Sequence, residues 1–330
     1  MKIKGILEGG KIVVIDKKGM HSLHGKGFGE LKKEKLILCL VEGAFLVWKK
    51  RLEVSHEGKK LDFLGLYNLA CSADNKFSSK YKVFVDLKER GYRVKCEESC
   101  FRICLKNTGK ECPVFVYEER EDFLMRDILS FIENSEGEIA LALVDEDMEV
   151  TYYIISRIHP EGTEKREFEK IKGRTIDNFV YVEDKRIFEE GFFGMPFASG
   201  VILAPIEALY LGEKGFLEIS RNGKVVSKKE MLEMFENLST ERYRVYRDLR
   251  DKGLVVRTGF KFGSQFRVYK GNPHLRHSDY LMDVIEKDFK SAWSEVSGKI
   301  RLAHSVKKTY VFAVVEPEKI EYISFSRFLP

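Results

Sequence analysis

The sequence is poor in the features that mark membrane, secreted and disordered proteins. Its 330 residues include only seven prolines and two tryptophans, and the longest apolar run, from Leu36 to Trp48, is interrupted by Glu42. That run is too short to span a bilayer, and the opening residues MKIKGILEGG lack the apolar stretch of a secretion signal. We therefore expect a folded, cytoplasmic protein with no membrane partner.

Cysteine is absent beyond residue 112. The six cysteines are Cys39, Cys71, Cys96, Cys100, Cys104 and Cys112. The last four contain no CxxC pair and no histidine lies among them, whereas zinc sites usually take two ligands close together in sequence. A zinc site is thus the less favoured interpretation. We predict reduced, mostly buried thiols, with no metal and no cofactor.

Acidic residues are scarce towards the C-terminus. From Glu241 to Pro330 there are 18 Lys and Arg against 11 Asp and Glu, a net charge of +7, while the first 240 residues have a net charge of −2. Positive charge gathered in one terminal segment is typical of a surface that binds a polyanion.

The positive charge is densest between Arg242 and Lys270. This stretch has nine basic residues against two acids, and the aromatic residues interleaved with them are Tyr243, Tyr246, Phe260, Phe262, Phe266 and Tyr269. Cations bind phosphates and aromatic faces stack on unpaired bases. The composition therefore favours a polyanion with exposed nucleotides, such as RNA.

The chain contains an internal duplication. Four blocks of the first half recur in the same order in the second, namely 36–46 as 201–211, 80–94 as 242–256, 101–104 as 266–269, and the strand from 141 as the strand from 312. Four collinear matches indicate two tandem repeats.

We predict an α/β (α+β) fold in which each repeat has a small α/β N-terminal subdomain and a C-terminal α/β subdomain. The predicted boundaries are 1–78 and 79–160 for the first repeat, and 161–238 and 239–330 for the second, with a polar linker at 157–174. In the second repeat, Thr240 is expected to cap a helix that Gly253 stops. Two strands, a helix from Trp293 and a C-terminal hairpin then follow.

The first repeat is an internal control for the second. Cys104 stands where the second repeat has Tyr269. The second repeat is also longer by three residues around Phe260–Gly263 and by six around Pro273–Tyr280, and the latter segment contains His277. We therefore predict a degenerate first repeat and an active second one.

The motifs of the second repeat resemble those of the archaeal tRNA-splicing (tRNA-intron) endonuclease family, in its two-repeat homodimeric form. They are YRDLRDKGLVVRTGFKFGSQFRVY, HSDYL, RLAHSVKK and YISFSRFLP. The resemblance implies a homodimeric tRNA-intron lyase that cleaves precursor tRNA at bulge-helix-bulge exon–intron junctions. It also implies that the C-terminal α/β subdomain of each repeat is nuclease-like, and that cleavage leaves 2′,3′-cyclic phosphate and 5′-hydroxyl ends, formed without a metal.

The resemblance places the family's catalytic triad on Tyr269, His277 and Lys308. In the family, the tyrosine is the general base for the 2′-hydroxyl, the histidine protonates the leaving 5′-oxygen, and the lysine stabilises the charged phosphorane. Attack by an internal hydroxyl needs these three functions. A phenol is a weak base at neutral pH, so exchanged roles for Tyr269 and His277 stay open. The competing residues nearby are His274, His304 and Lys307.

The resemblance also implies two binding features. Arg301 and Arg327 match a pair of arginines, one from each subunit, that sandwiches a bulged base, and guanidinium planes suit such stacking. Asp145, Glu146 and Asp147 match an acidic loop that docks onto a basic pocket of the catalytic repeat. The plainer interpretations are solvated surface charges and an ordinary hairpin turn.

Two other functions remain as alternatives. A metal-dependent, restriction-like nuclease needs clustered carboxylates, but the acids of the C-terminal segment are scattered. A non-catalytic RNA-binding subunit would lack the Tyr/His/Lys set, as the first repeat does. Because the second repeat keeps the set, we favour an enzyme.

Overall fold

The structure is a computed structural model that describes residues 3–106, 108–135, 137–165, 167–234 and 238–330. The chain divides into two compact units, one formed by residues 1–156, 290–297 and 326–330, the other by 157–289 and 298–325. Among the described residues, none of the helices has the length and apolar character needed to cross a membrane.

The first unit begins with a six-stranded sheet and three helices. Their bounds are β1 (Ile3–Glu8), β2 (Lys11–Val14), α1 (Lys17–Gly25), β3 (Glu30–Lys32), β4 (Lys35–Leu38), α2 (Leu40–Trp48), β5 (Leu52–His56), β6 (Lys59–Leu61) and α3 (Phe63–Ala73). The strand order is β3-β4-β2-β1-β5-β6, in which β1 and β5 are parallel.

The nuclease-like part of the first unit follows. Its elements are α4 (Phe77–Glu89), β7 (Lys95–Cys96), β8 (Phe101–Cys104), β9 (Glu111–Glu118), β10 (Asp122–Leu124), α5 (Met125–Glu133), β11 (Ile139–Val144) and β12 (Val150–Ile158). Five strands run in the order β12-β11-β9-β8-β7. Of their pairings, β9 with β11 is parallel.

The second unit begins in the same way. Its elements are β13 (Ile171–Ile176), β14 (Phe179–Val182), α6 (Arg186–Glu189), β15 (Met195–Phe197), β16 (Gly200–Leu203), α7 (Pro205–Glu213), β17 (Leu217–Arg221), β18 (Lys224–Val225) and α8 (Lys228–Met234). The order β15-β16-β14-β13-β17-β18 repeats that of the first sheet strand for strand.

The C-terminal elements repeat the nuclease-like part. They are α9 (Thr240–Asp251), β19 (Val255–Thr258), a 3₁₀ turn (Phe260–Phe262), β20 (Phe266–Tyr269), β21 (Tyr280–Glu286), β22 (Lys290–Ala292), α10 (Trp293–Ser305), β23 (Thr309–Val315) and β24 (Ile320–Phe328). Five strands run in the order β19-β20-β21-β23-β24, with β21 and β23 parallel. The predicted duplication and mixed α/β fold are thereby confirmed.

Two local predictions need correction. Ser239, not Thr240, caps α9, because its hydroxyl accepts the backbone N–H of Arg242 at 3.2 Å. The predicted linker at 157–174 is shorter, since β12 ends at Ile158 and β13 begins at Ile171; Arg166 within it lies outside the described residues. Gly253, at φ +79°, follows the end of α9 as predicted.

A buried glutamate fixes the same turn in both repeats. Glu42, near the start of α2, accepts the backbone N–H groups of Gly29 and Cys39 at 2.8 and 3.0 Å. The equivalent bonds, offset by 165 residues, join Glu207 to Gly194 and Ala204 at 2.8 and 2.9 Å. Both glutamates are buried. Their carboxylates accept hydrogen bonds from backbone N–H groups that water cannot reach and that would otherwise be unpaired.

A cation over an aromatic ring is also duplicated. The Lys88 ammonium lies 4.0 Å from the Phe28 ring centre, and the Arg250 guanidinium lies 3.8 Å from that of Phe193. Arg250 is buried and donates to the carbonyls of Leu254 and Gly191. The contact ties α9 to the N-terminal subdomain of its own repeat.

The first unit is completed by residues from late in the chain. Strand β22 pairs antiparallel with β10. Trp293, which is 1% exposed, packs edge-on against Phe123 with ring centres 4.8 Å apart. Phe328 packs in the same way against Tyr152.

Candidate active site

Three adjacent strands bring two of the three predicted catalytic residues, Tyr269 and Lys308, to one edge of a sheet. Val268 in β20 pairs with Tyr280 in β21, and Tyr280 pairs with Thr309 in β23. Tyr269 ends β20 and Lys308 directly precedes β23, so the two lie on either side of the start of β21. Neighbouring strands are about 4.8 Å apart, which puts the two backbones roughly 10 Å apart.

Strand alternation places both side chains on the same face. Val268 and Val311 belong to the hydrophobic core of the second unit. Because successive side chains alternate between faces, Tyr269 and Lys308 occupy the opposite face. Tyr269 is 8% exposed and packs with Phe192 and Val255. The Tyr269 ring is therefore held firmly beside the site.

Lys308 lies in a crowded cationic environment. Burial and the nearby Arg267 lower its pKa, while Asp279 partly offsets this. The Phe262 ring centre is 5.8 Å from both the Lys308 ammonium and the Arg267 guanidinium. In contrast, Lys307 is exposed and adopts a left-handed φ of 56° after the end of α10.

Asp279, which the sequence reasoning missed, is hydrogen-bonded to residues next to all three candidates. Its carboxylate accepts the backbone N–H of Lys270 and the guanidinium of Arg276, both at 2.8 Å. Its backbone N–H donates to Val268 at 2.9 Å and its carbonyl accepts from Thr309 at 3.1 Å. These partners directly adjoin Tyr269, His277 and Lys308. The sequence signal that could have identified Asp279 is its place as the third residue of the HSDYL motif.

His277 is exposed, in the segment between β20 and β21 that Asp279 anchors at both ends. His274 is also exposed, but its ring contacts Phe188 and Phe192 with ring centres 5.3 and 5.5 Å away. His304 lies exposed in the last turn of α10. His274 and His277 thus share the segment anchored at the candidate site, but the His274 ring packs on two phenylalanines, whereas His277 directly follows Arg276, whose side chain Asp279 binds.

The first repeat has the same framework without these side chains. Its row of paired residues Phe101, Val114 and Ala140 matches Phe266, Met282 and Val311 of the second repeat. Counting from these rows, Cys104 takes the position of Tyr269, and Gly137 takes that of Lys308. The scaffold is retained while the candidate side chains are not.

The predicted basic and aromatic surface is smaller than the sequence suggests. Several of its arginines bond to their own chain: Arg244 to Glu316 and Pro317, Arg250 to Gly191 and Leu254, and Arg257 to Gly194. Its buried aromatic residues are Tyr243, Tyr246, Phe266 and Tyr269. Of the six, Phe260 is the exposed one, with Phe262 half-buried. Helical and strand periodicity, which place aromatics in a core, outweigh composition here.

The predicted binding residues lie at the surface. Arg301 on α10 and Arg327 on β24 are both exposed. In the turn between β11 and β12, the Asp145 carboxylate accepts the backbone N–H groups of Asp147 and Glu149 and so shapes the turn. Glu146 is ion-paired with Arg120, and Asp147 is exposed.

One group of potential metal ligands occurs among the described residues. Cys39, Glu42 and Cys96 place their ligand atoms within 4.8 Å of one another, in the first unit. Glu42 already has the capping role that Glu207 performs without any cysteine, so the fold explains its position. All six cysteines are free; Cys112 is buried, Cys104 exposed and the others half-buried. The prediction of buried thiols is therefore confirmed for Cys112 and wrong for Cys104, and the other four are partly covered.

Comparison with known proteins gives a consistent result. Residues 240–322 match the family model described as tRNA intron endonuclease, catalytic C-terminal domain. The model of the N-terminal domain of the same family matches twice, at 3–67 and 171–232. The catalytic model thus matches the second repeat, and the N-terminal model matches both.

The relatives with similar sequences include tRNA-splicing endonucleases of archaea. The tRNA-splicing endonuclease of Methanosarcina barkeri is 35% identical over 345 residues, covering 96% of this chain and 97% of that protein. That of Methanosarcina acetivorans is 34% identical over 352 residues, covering 98% and 99%. The tRNA-splicing endonuclease of Methanopyrus kandleri is 38% identical over 148 residues, covering 83% of its own length but 43% of this chain.

Proposed function

Because this chain belongs to the tRNA intron endonuclease family, we propose that its catalytic centre is the edge of the second repeat that carries Tyr269 and Lys308, completed by His277 from the adjoining segment. Its activity is the cleavage of introns from precursor tRNA, the reaction for which its relatives are named. The observation that carries the assignment is the paired row Val268–Tyr280–Thr309, which aligns two of the three candidates.

The proposed reaction is a transfer within the RNA. The 2′-oxygen attacks the adjacent phosphorus, the bond from phosphorus to the 5′-oxygen breaks, and a 2′,3′-cyclic phosphate and a 5′-hydroxyl result. One of Tyr269 and His277 accepts the 2′-hydroxyl proton and the other protonates the leaving oxygen. The Lys308 ammonium stabilises the charge that develops on the phosphorane. Arg267, close enough to lower the Lys308 pKa, adds positive charge at the same place.

The substrate feature we assign is the bulge-helix-bulge, bound by a homodimer. Exposed Arg301 and Arg327 are available to stack on a bulged base, and exposed Asp147 is available to a basic partner surface. Replacing Asp147 with lysine should convert dimers to monomers in sedimentation velocity. An unchanged dimer would remove the acidic loop from the proposed interface.

The test of the catalytic centre uses a bulge-helix-bulge precursor tRNA in the presence of EDTA, with analysis of product ends. His277→Ala is compared with His274→Ala, and Lys308→Ala with Lys307→Ala, because each pair differs in whether the residue lies in the proposed triad. We expect cyclic-phosphate and 5′-hydroxyl ends, and a loss of about 10²–10⁴-fold in kcat for the two triad variants. Equal losses within either pair would contradict the assignment.

The EDTA arm addresses the remaining alternatives. A restriction-like nuclease would cut only after a divalent ion is restored. An RNA-binding subunit would bind without cutting under either condition.

A further inference from the structure

Phe260 has an unusual position for a large apolar side chain. It is 86% exposed, the highest value among the large hydrophobic residues that the structure describes as exposed. Single exposed apolar residues are common, so exposure alone does not indicate a binding role for Phe260. Three further observations do: how the turn is built, where it lies, and that the first repeat lacks it.

The turn that carries Phe260 is rigidly built. The Gly259 N–H donates to the carbonyl of Gln265 at 3.1 Å, and a Cβ on Gly259 would lie 2.2 Å from the Ser264 hydroxyl. The Phe260 N–H donates to the Thr258 hydroxyl at 3.3 Å. Gly263 closes the 3₁₀ turn with φ +60°. Phe260 is thus held out into solvent by a closed loop, which lowers the entropy lost when a ligand packs on it.

The same turn adjoins the candidate active site. Phe262, two residues after Phe260, is the ring that lies 5.8 Å from both Lys308 and Arg267. Between the two rings, Lys261 is exposed. An exposed aromatic face beside an exposed cation is the combination that binds unpaired nucleotides.

The first repeat lacks this turn. There, Glu97 and Cys100 close the equivalent connection by a backbone hydrogen bond of 2.9 Å. No aromatic residue lies between Arg93 and Phe101. The additional aromatic turn therefore accompanies the catalytic side chains and is missing where they are missing.

We infer that Phe260 is a stacking platform for an unpaired nucleobase of the RNA substrate, next to the phosphate that is cleaved. This inference rests on the proposed function, and it assigns a base contact in addition to the arginine pair. Lys261 contacts the backbone phosphate of the stacked nucleotide. Phe262 does not touch the base but positions Lys308.

The experiment uses a precursor tRNA with a 2′-deoxy nucleotide at the cleavage point, which removes the attacking hydroxyl, and 2-aminopurine at each bulge position in turn. In the wild-type protein, stacking should quench 2-aminopurine fluorescence at one position. Phe260→Ala should abolish that quenching and raise Kd about tenfold, within the range that one base–aromatic stack contributes. Phe260→Trp should keep the quenching and the Kd within about threefold of their wild-type values.

Two controls separate the possible outcomes. Leu64→Ala, at an exposed apolar residue of the first repeat, should bind like wild type. An abasic nucleotide at the quenched position should weaken wild type to the level of Phe260→Ala, with no further loss in the variant. A variant that binds like wild type, or one that loses its dimer in sedimentation without RNA, would overturn the inference. A wild type that fails to cut the unmodified RNA would instead refute the proposed function.

Discussion

Asp279 offers a direct test of how the candidate site is held together. Its carboxylate bonds the backbone of Lys270 and the side chain of Arg276, the residues next to Tyr269 and His277. Asp279→Ala removes both bonds while leaving the chemical groups of the triad in place. Asp279→Asn keeps an oxygen for the Lys270 N–H and removes the charge.

The magnitudes follow from the two contacts. A hydrogen bond to a charged group contributes about 1.5–3 kcal/mol, while an ion pair with half-exposed Arg276 contributes at most about 1 kcal/mol. Asp279→Ala should therefore lower the free energy of unfolding by about 1.5–4 kcal/mol, and Asp279→Asn by about half of that or less. A displacement of about 1 Å in a catalytic group lowers kcat up to ~10²-fold.

The assay measures kcat and KM for a bulge-helix-bulge RNA well below the unfolding temperature of each variant, with unfolding followed in urea. We expect Asp279→Ala to lower kcat 10- to 100-fold, with a smaller change in KM, and Asp279→Asn to recover most of the loss. A wild-type kcat for Asp279→Ala would refute the positioning role. A loss of stability without a loss of kcat would limit Asp279 to folding.

Three further changes test other parts of the structure. Arg250→Ala should lower the free energy of unfolding by about 3 kcal/mol in urea, because a desolvated cation–π contact and two hydrogen bonds are lost; a change below about 1 kcal/mol would contradict this. Cys39→Ala should change the free energy of unfolding by less than about 1 kcal/mol, since Ala204 occupies the equivalent position in the second repeat. A larger loss would show that the Cys39 thiol itself stabilises the fold. Arg267→Gln should move the alkaline limb of kcat to higher pH at saturating RNA. Removing this positive charge raises the pKa of Lys308, and the protonated lysine is the active form. If the alkaline limb of the kcat–pH profile stays in place or moves to lower pH, the ionisation of Lys308 does not set that limb.

Much of the architecture was accessible from the sequence because the chain contains its own comparison. The repeated blocks predicted two halves of one fold, and the structure gives both halves the same strand order. The helix predicted from Trp293 is confirmed. It could be predicted because its apolar residues recur at helical spacing. Its buried members include Val296 and Ile300. Periodicity succeeds there because one face of the helix is buried.

The composition of the site was harder to predict. Nine basic residues within a stretch of 29 predicted a phosphate-binding surface. Two of them are used inside the protein instead, because Arg250 is buried over Phe193 and Arg257 donates to the carbonyl of Gly194. Sequence cannot distinguish an arginine that meets a ligand from one that bonds a carbonyl of its own chain, because both uses need the same side chain. Asp279 was missed for a related reason. Its partners are mostly backbone groups, which leave no mark on sequence composition.

The membership of residues 290–297 and 326–330 in the first unit has a consequence for synthesis of the protein. A ribosome completes residue 156 long before it reaches β22, Trp293 and Phe328. At about 5–20 residues per second, synthesis takes roughly 7–27 s to pass from residue 156 to Trp293 and roughly 9–34 s to reach Phe328. Phe123 stays without Trp293 during the first interval, and Tyr152 stays without Phe328 during the second. The half of the molecule that is made first is thus completed only after most of the second half has been synthesised.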